Sequence, residues 1–573
     1  MGKNKTILSL GVLAFVFGAA ITSCGPTSNP TSTPDPTSEP TVSLPDPFVS
    51  DVESNLEIDT DYVEHSKTYS GGEYSYDVSK WYVNDLDEVP LPDPHVLYDD
   101  GKYYITGTSD TGGARIADIY VTEDFNYFEY KGKIYDPTLY NGWEQSNPAI
   151  YAPELYCFDG VYYLYYSAIS KHDGIRYNSV VKSDSPLGPF EPIVTDEVDG
   201  LNNPLFVHGS RTALDSTIFV DSDGKMYMYY SVAYKGQYIA GVEMENPYTA
   251  KWDTYKELVF PGTIDSESEE KVLEWECYRG THIAEAPYMI KSNGKYFLTY
   301  SVNGCWNKYY NVCYAVGDSP LGNFEKPYTE GQLWTNLILG YPGPRDSEDL
   351  VYKQWSGFAS GTGHHCFFNI GDQIMIGYHA HRNRDWNSDS QFTQRYFAMD
   401  YLYFHEDGTP YVNGPTWSPT PLPYEISGYK NIAPNATIRV ENIEKPEMLN
   451  DEYIVDCYNL QGELEKESEI GKGLAYIELT FDKEYDIGGF AIYNTSDFEK
   501  YFADIKYVDF GNGNAVKDLT FLESQFTNFG REFVHPASAF TVEFNNEIKA
   551  NKMTICFDLS YGGALNEIVI LGN

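Results

Sequence analysis

A short unit that recurs five times along the middle of the chain constrains the fold more than any other feature. Each copy is a glycine-containing turn followed by alternating aromatic and aliphatic residues, and an apolar segment precedes each turn. This pattern predicts a strand, a tight turn and a second strand. The unit returns at intervals of 59 to 77 residues, with its turn glycines at Gly101, Gly160, Gly224, Gly294 and Gly371.

The spacing of the copies predicts the architecture. Each interval has room for four strands and long loops, and almost no helical periodicity lies between the copies. Five such units in about 340 residues predict an all-β fold, a five-bladed β-propeller with the repeated hairpin near its axis. A β-sandwich of hairpins is the alternative, but a sandwich has no reason to repeat at so long a period.

The N-terminal sequence predicts that the protein is exported. Lys3 and Lys5 precede an apolar run over 7–20, which is too short for a membrane span and predicts a signal peptide over 1–23. Cys24 follows Ile-Thr-Ser, an order that resembles a bacterial lipobox, so we expect Cys24 to be lipidated. Ordinary cleavage with an uninvolved Cys24 is the alternative. The expected location is the extracellular side of the bacterial cell surface, through a lipid anchor.

Composition divides the rest of the chain. Residues 24–50 are almost wholly Pro, Thr, Ser and other small or polar residues, which predicts an extended linker. A lead-in over 51–84 precedes the propeller, predicted over 85–425, and a Pro-rich segment ends it. Alternating strand patterns then predict a β-sandwich over 430–573.

The charge balance restricts the partners. The chain has 84 Asp and Glu against 39 Lys and Arg, a net charge of −45, and such a surface repels nucleic acid. With 16% aromatic residues the chain is not an acidic disordered protein. The composition favours neutral hydroxylated ligands, so we expect a carbohydrate partner, and we expect a monomer.

Ionisable residues precede the repeated turns at similar distances. Reading back six to nine positions from each turn glycine predicts one group per blade at the mouth of the channel: Asp93, Glu154, Asp215, Glu285 and the pair His364 and His365. Carboxyl groups in apolar or Pro-rich surroundings have raised pKa values. Glycoside hydrolysis needs such a set, because one protonated carboxyl must protonate the leaving oxygen while one carboxylate activates water.

The segments that carry these groups resemble the successive blade motifs of glycoside hydrolase family 43. They are Asp93-Pro-His-Val, Tyr151-Ala-Pro-Glu154, Leu214-Asp215-Ser-Thr, Glu285-Ala-Pro-Tyr and Gly361-Thr-Gly-His364-His365. The resemblance covers about 85–425. It implies an inverting hydrolase of arabinose- or xylose-containing polysaccharides, of the α-L-arabinofuranosidase or β-xylosidase type.

The resemblance also implies roles for single residues. Asp93 is expected to be the general base, Glu285 the general acid, and Asp215 the residue that adjusts the pKa and orientation of the acid. His364 is the best match for a histidine that binds water or calcium, and His365 is the weaker match. No cofactor is expected to be required, and a structural Ca²⁺ is the one metal that the resemblance suggests.

Substrate contacts are expected from Tyr151, Glu154, Trp143 and Trp306, the two tryptophans as sugar platforms. The chain departs from the family pattern at three places, with Tyr151 where Trp is frequent, Ser216 where Pro is frequent, and Ala286 where Gly is frequent. These departures leave the three acids in place.

The C-terminal region resembles the discoidin-like β-sandwiches that serve as carbohydrate-binding modules, and a purely structural sandwich is the alternative. Two further functions stay open for the whole chain. One is a non-catalytic, surface-anchored glycan-binding lipoprotein, and the other is a related propeller hydrolase that acts on galactan.

Overall fold

The computed structural model describes residues 66–69, 72–75, 80–84, 89–109, 117–145, 149–195, 200–340, 359–382, 394–416, 418–454, 467–495, 500, 505–511, 514–517, 519 and 539–573. The predicted signal peptide, Cys24 and the predicted linker lie outside the described residues. Within the described part, no helix is both long and apolar enough to cross a membrane.

Five antiparallel sheets follow one another along the chain, each built from one continuous segment. Blade 1 is β4 (His95–Asp99), β5 (Lys102–Gly107), β6 (Ala117–Thr122) and β7 (Glu129–Tyr135). Blade 2 is β8 (Tyr151–Phe158), β9 (Val161–Ile169), β10 (Arg176–Ser183) and β11 (Glu191–Pro192). Blade 3 is β12 (Thr212–Val220), β13 (Met226–Ala233), β14 (Gln237–Asn246), β15 (Thr249–Ala250) and β16 (Lys256–Val259).

Blades 4 and 5 complete the set. Blade 4 is β17 (Ala284–Ser292), β18 (Lys295–Val302), β19 (Asn311–Gly317), β20 (Phe324–Glu325) and β21 (Leu337–Leu339). Blade 5 is β22 (Ala359–Ile370), β23 (Gln373–Arg382), β24 (Tyr396–Phe404) and β25 (Pro410–Val412).

The first strands of the five blades form a closed ring. Each of β4, β8, β12, β17 and β22 contacts the first strand of both neighbouring blades, and β22 returns to β4. These strands therefore surround the axis, as the repeat predicts. The predicted fold class, an all-β chain with a five-bladed propeller, is confirmed.

The repeated turns have the backbone that their sequence demands. A two-residue type I′ hairpin needs positive φ at both central residues. Asp100 and Gly101 have φ values of 46° and 78°, and Asn293 and Gly294 have values of 46° and 76°. Asx-Gly is suited to this turn because Asn and Asp tolerate the left-handed region and glycine has no Cβ to clash.

Aromatic side chains fill the spaces between blades. Tyr229 of blade 3 and Tyr300 of blade 4 are buried in one shared cluster. The Tyr229 hydroxyl donates to the carbonyl oxygen of Pro320 at 2.8 Å, and the Tyr300 hydroxyl donates to Glu276 Oε1 at 2.8 Å. Buried tyrosines keep a polar end that must find a partner, and these contacts satisfy it.

Residues on either side of the propeller pair with each other. Strand β3 (Trp81–Tyr82) pairs with β26 (Thr420–Pro421), so segments that flank blades 1 and 5 meet. The remaining described elements before the propeller are β1 (Ser66–Tyr69) and β2 (Gly72–Ser75), which form a hairpin. The described α-helix is one turn long, Tyr424–Ser427.

The C-terminal region is a separate antiparallel sheet with its own apolar core. Its two longest strands, Gly473–Asn494 and Ala539–Leu559, are interrupted by shifts in register. Its strands are β27 (Lys430–Asn431), β28 (Thr437–Glu441), β29 (Ser468–Ile470), β30 (Gly473–Asn494), β31 (Ile505–Asp509), β32 (Ala515–Val516), β33 (Ala539–Leu559) and β34 (Gly563–Gly572). Short 3-10 helices lie at Pro137–Leu139, Gly200–Asn202, Trp252–Thr254, Glu274–Gly280, Ala433–Asn435 and Pro446–Met448.

Candidate active site

Every blade bends at its first strand, just before the strand in blade 1 and within its first half in blades 2 to 5. One residue there has a positive φ in each blade: Asp93 at 57°, Ala152 at 44°, Asp215 at 55°, Ala286 at 51° and His364 at 46°. In blades 2 to 5 the strand pairing also shifts at this point. A bulge of this kind redirects side chains, and a non-glycine residue at positive φ costs about 1–3 kcal/mol, which the surrounding fold must offset.

The prediction that the five ionisable groups occupy equivalent positions is wrong, because they lie at different distances from the bulge. Asp93, Asp215 and His364 occupy the positive-φ position itself, whereas Glu285 precedes it by one residue and Glu154 follows it by two. The groups are therefore not equivalent in the five blades. Counting from the turn glycine fails because the bulge adds a residue and the distance from bulge to turn differs between blades.

Asp93 lies in a buried, positively polarised setting. Its Oδ1 is 2.7 Å from Arg395 Nη1 and 3.2 Å from His364 Nδ1, and its Oδ2 accepts a hydrogen bond from the Thr108 hydroxyl at 2.6 Å. His379 Nδ1 lies 3.4 Å from the same Oδ1. Burial alone would raise the pKa of Asp93, but Arg395, His364 and His379 together lower it well below the usual aspartate value. Asp93 is therefore ionised at neutral pH.

The pKa of Glu285 is shifted in the opposite direction, upward. Burial is the largest influence on its pKa and raises it, and the nearby charge of Asp93 adds to the rise. Gln237 Nε2 donates to Glu285 Oε2 at 2.5 Å, and the Tyr310 hydroxyl donates a second hydrogen bond. Tyr310 can approach closely because a Cβ at Gly363 would lie 2.4 Å from its ring.

The pKa of Asp215 depends on the charges of both other acids. Burial, followed by the charges of Glu285 and Asp93, raises the pKa of Asp215. The backbone N–H of Ala286, the residue after Glu285, donates to the Asp215 carboxyl group. Asp215 thus holds the backbone next to Glu285, and the charge on either group favours the protonated form of the other.

A second layer of buried side chains lies one or two residues after the positive-φ position of the first strands. Glu154 is buried there, with its Oε2 accepting from the Tyr156 hydroxyl at 2.5 Å and lying 4.0 Å from His95 Nε2. Burial raises the pKa of Glu154 to about 8. His365 is also buried, with its Nε2 2.6 Å from the Thr299 hydroxyl oxygen. Glu154 thus accepts a hydrogen bond from its own strand and lies near His95 of blade 1, and its contact with substrate stays a prediction.

The sequence profile of glycosyl hydrolases family 43 matches residues 86–410, more than half of the chain. The chain belongs to this family. The resemblance drawn from the blade motifs is thereby confirmed for the propeller.

Two of the relatives that are similar to this family 43 chain carry pentosidase names. Xylosidase/arabinosidase 43A of Humicola insolens is 32% identical over 230 residues, which cover 36% of this chain and 64% of the relative. An extracellular exo-alpha-(1->5)-L-arabinofuranosidase of Streptomyces chartreusis is 28% identical over 302 residues, 51% of this chain and 80% of the relative. A solved thermostable family-43 glycoside hydrolase is 29% identical, with a TM-score of 0.47, over 59% of this chain and 98% of that chain. The chain thus spans less than two thirds of the Humicola relative.

The predicted aromatic contacts of the family 43 site separate into three cases. Trp143 is 3% exposed and packs in the core shared by blades 1 and 2, so its prediction as a sugar platform is corrected to a core residue. Trp306 is 51% exposed and follows Cys305. Burial raises the pKa of the Cys305 thiol, and the charges of the three acids add to the rise, so Cys305 lies near them. The Arg176 guanidinium lies 4.1 Å from the centre of the Tyr151 ring. The positive charge of Arg176 opposes the rise in the pKa of Asp215. Tyr151 and Trp306 stay predictions as substrate contacts.

His364, the expected ligand for water or calcium, lies beside Asp93. No three His, Cys, Asp or Glu side chains in the described part of the chain converge as a metal site requires. His364 Nδ1 instead faces Asp93 Oδ1. Calcium binding stays a prediction, and no chemical step below depends on it.

Sequence reasoning missed four residues that contact the acids: Thr108, Gln237, Tyr310 and Arg395. None lies in a blade motif, and Arg395 is 302 residues from Asp93. The sequence contains a better signal for the position of the bulge in each blade. Pro94, Pro153 and Pro287 each follow a positive-φ residue. Proline lacks an N–H and is tolerated where a strand leaves the hydrogen-bond ladder, so these prolines mark the bulge.

Proposed function

We propose that this chain is an inverting glycoside hydrolase that acts on arabinose- or xylose-containing polysaccharides or oligosaccharides. Asp93 is the general base, Glu285 the general acid, and Asp215 adjusts and orients the acid. The observation that supports this most is the contrast between the buried Asp93, whose pKa is lowered by a guanidinium, and the partly buried Glu285, whose pKa is raised by desolvation. Such a pair divides base and acid between two residues.

The reaction follows from these settings. The Asp93 carboxylate takes a proton from a water molecule as the water oxygen bonds to the anomeric carbon. The bond from that carbon to the leaving oxygen breaks on the opposite side, and Glu285 gives its proton to the leaving oxygen. The configuration inverts because one displacement occurs, and inverting enzymes keep their two carboxyl groups about 6.5–9.5 Å apart to admit the water.

The proposed sugar and location rest on relatives and on the N-terminal sequence. The names of the Humicola and Streptomyces relatives point to pentose-containing substrates, and the second relative is extracellular. We propose a monomer that is anchored outside the cell through lipidated Cys24, with the C-terminal sheet as a discoidin-like glycan-binding module. Globomycin, which blocks lipoprotein processing, should cause an unprocessed precursor to accumulate, and an unchanged mature size would exclude the lipid anchor.

Stereochemistry and substrate choice test the proposal together. We expect the full-length protein to hydrolyse aryl α-L-arabinofuranoside or aryl β-D-xyloside faster than aryl galactoside, because pentoside names recur among its relatives. Proton NMR during the first turnovers should show the inverted anomer. A retained anomer would contradict the roles of Asp93 and Glu285. Preference for galactoside would favour the galactan reading, and glycan binding without turnover would favour a binding lipoprotein.

The pH dependence of kcat/KM is expected to be bell-shaped. The acid limb reports protonation of Asp93 and should lie below about pH 3.9, while the alkaline limb reports ionisation of Glu285 and should lie above about pH 4.3. Replacing Arg395 with methionine removes the positive charge that lowers both pKa values, so both limbs should move up, the acid limb by about one to two pH units.

The matched control for this shift is Arg211→Met. Arg211 pairs with Glu257 at 2.9 Å and is not among the groups that act on the two acids. Its removal should leave both limbs in place. An acid limb that stays fixed in Arg395→Met would mean that Asp93 is not the group titrating there.

A further inference from the structure

A cavity of about 200 Å³ opens beside the proposed acid, between blades 3 and 4. Gln237 lines this cavity and also donates its Nε2 hydrogen bond to Glu285 Oε2 at 2.5 Å. The backbone N–H of Gln237 donates to the carbonyl oxygen of His282 at 2.8 Å, which joins the two blades at the cavity wall. The cavity therefore begins one side chain away from the carboxyl group that protonates the leaving oxygen.

The charge of this cavity is opposite to that of the chain. The protein has a net charge of −45, yet Lys235, Lys271 and His282 line the cavity, and no Asp or Glu is among its described lining residues. Lys271 Nζ donates to the carbonyl oxygen of Pro261, and Lys235 Nζ lies 5.5 Å from the centre of the Tyr234 ring. Burial lowers the pKa of Lys271, and the nearby charge of Glu276 opposes that shift. Neither lysine forms an ion pair with a carboxylate of the cavity wall in the described part of the chain.

The remaining wall suits a sugar ring. Phe260 is half-buried and its ring stacks on that of Tyr238, with 4.8 Å between centroids. Pro261 continues this apolar surface. An apolar face beside cationic donors matches a ring that has one C–H face and one carboxylate substituent.

We propose that this cavity is a leaving-group subsite for a uronic acid residue, so that the enzyme prefers acidic glycans cleaved next to a uronosyl unit. The inference rests on the proposed function, because Glu285 identifies the leaving-group side only if it is the acid. The sugar ring lies on Phe260 and Pro261, and its carboxylate pairs with Lys235 and Lys271.

Calorimetric titration of the full-length protein tests the subsite without relying on catalysis. The two probes are digalacturonate and galactobiose of the same linkage, which differ in the carboxylates. At low salt we expect digalacturonate to bind about tenfold more tightly, since two partly exposed ion pairs together contribute on the order of 1.4 kcal/mol. Raising NaCl from about 10 mM to about 1 M shortens the Debye length from about 30 Å to about 3 Å and should remove most of the difference.

The double variant Lys235→Gln, Lys271→Gln should lose the preference for digalacturonate. Glutamine keeps the length and polarity of both side chains, and Lys235 is exposed. The control is Lys549→Gln, Lys552→Gln, which removes two charges from the C-terminal sheet and should keep the preference. Equal affinity for both probes, binding of neither, or a preference that survives loss of Lys235 and Lys271 would overturn the subsite. Failure of the proposed function would appear separately, as no turnover of any aryl glycoside.

Discussion

Replacing Glu285 with glutamine is expected to lower kcat on natural oligosaccharides by about 10³–10⁴-fold, because the leaving alkoxide then departs without a proton. The loss should depend on the leaving group. A dinitrophenolate leaves without protonation, so the same variant should keep most of its activity on a dinitrophenyl glycoside. Gln237 and Tyr310 donate to the Glu285 carboxyl group, and the amide of glutamine keeps an oxygen that can accept from them.

The measurement is a plot of log kcat against leaving-group pKa for the wild type and the variant. The variant should show the steeper dependence, and its alkaline pH limb should disappear. Glu325→Gln removes an exposed carboxyl group from blade 4 and should match the wild type throughout. An equal loss for good and poor leaving groups would show that Glu285 does not protonate the leaving oxygen.

Replacing Asp93 with asparagine is expected to lower kcat by about 10²–10⁴-fold on every substrate, because no carboxylate remains to take the proton from water. In contrast to Glu285→Gln, this loss should be independent of the leaving group, and the acid limb of the pH profile should disappear. Asparagine tolerates the φ of 57° that Asp93 adopts, so the bulge is preserved.

The control for Asp93→Asn is Asp100→Asn, which makes the same change at another positive-φ position, in the exposed turn of blade 1. That variant should keep full activity. Arg395 loses its charged partner in Asp93→Asn, so circular dichroism must show that the variant is folded before its kinetics are compared. Substantial activity in a folded Asp93→Asn variant would exclude Asp93 as the base.

The fold was predictable because its signals are local. Asp100-Gly101 and Asn293-Gly294 encode hairpins through the φ values that these residues tolerate, and the alternation after each turn encodes a strand. The number of copies then requires five sheets, since each hairpin can bury its apolar faces only against its neighbours. Family membership was predictable for the same reason, because each blade motif is a short, continuous run of residues.

The register of the candidate site was predictable only in part. Asp93, Asp215 and Glu285 do act on one another, as the repeat suggested, but Glu154 lies in the second layer and Trp143 in the core. The turn glycines alone place the residues to within two positions. That is not enough, because neighbouring residues on a strand point to opposite faces.

The sequence by itself determined that this chain forms a five-bladed propeller of family 43 with its candidate acids near the axis, because turns and strands depend on short runs of residues. Only the tertiary structure decided which acid has its pKa lowered and which has its pKa raised. Arg395 lies beside Asp93, and Gln237 and Tyr310 hold Glu285 in a partly buried setting. A pKa depends on burial and on charges a few ångströms away, whichever part of the chain supplies them. Closure of the ring brings those distant segments together.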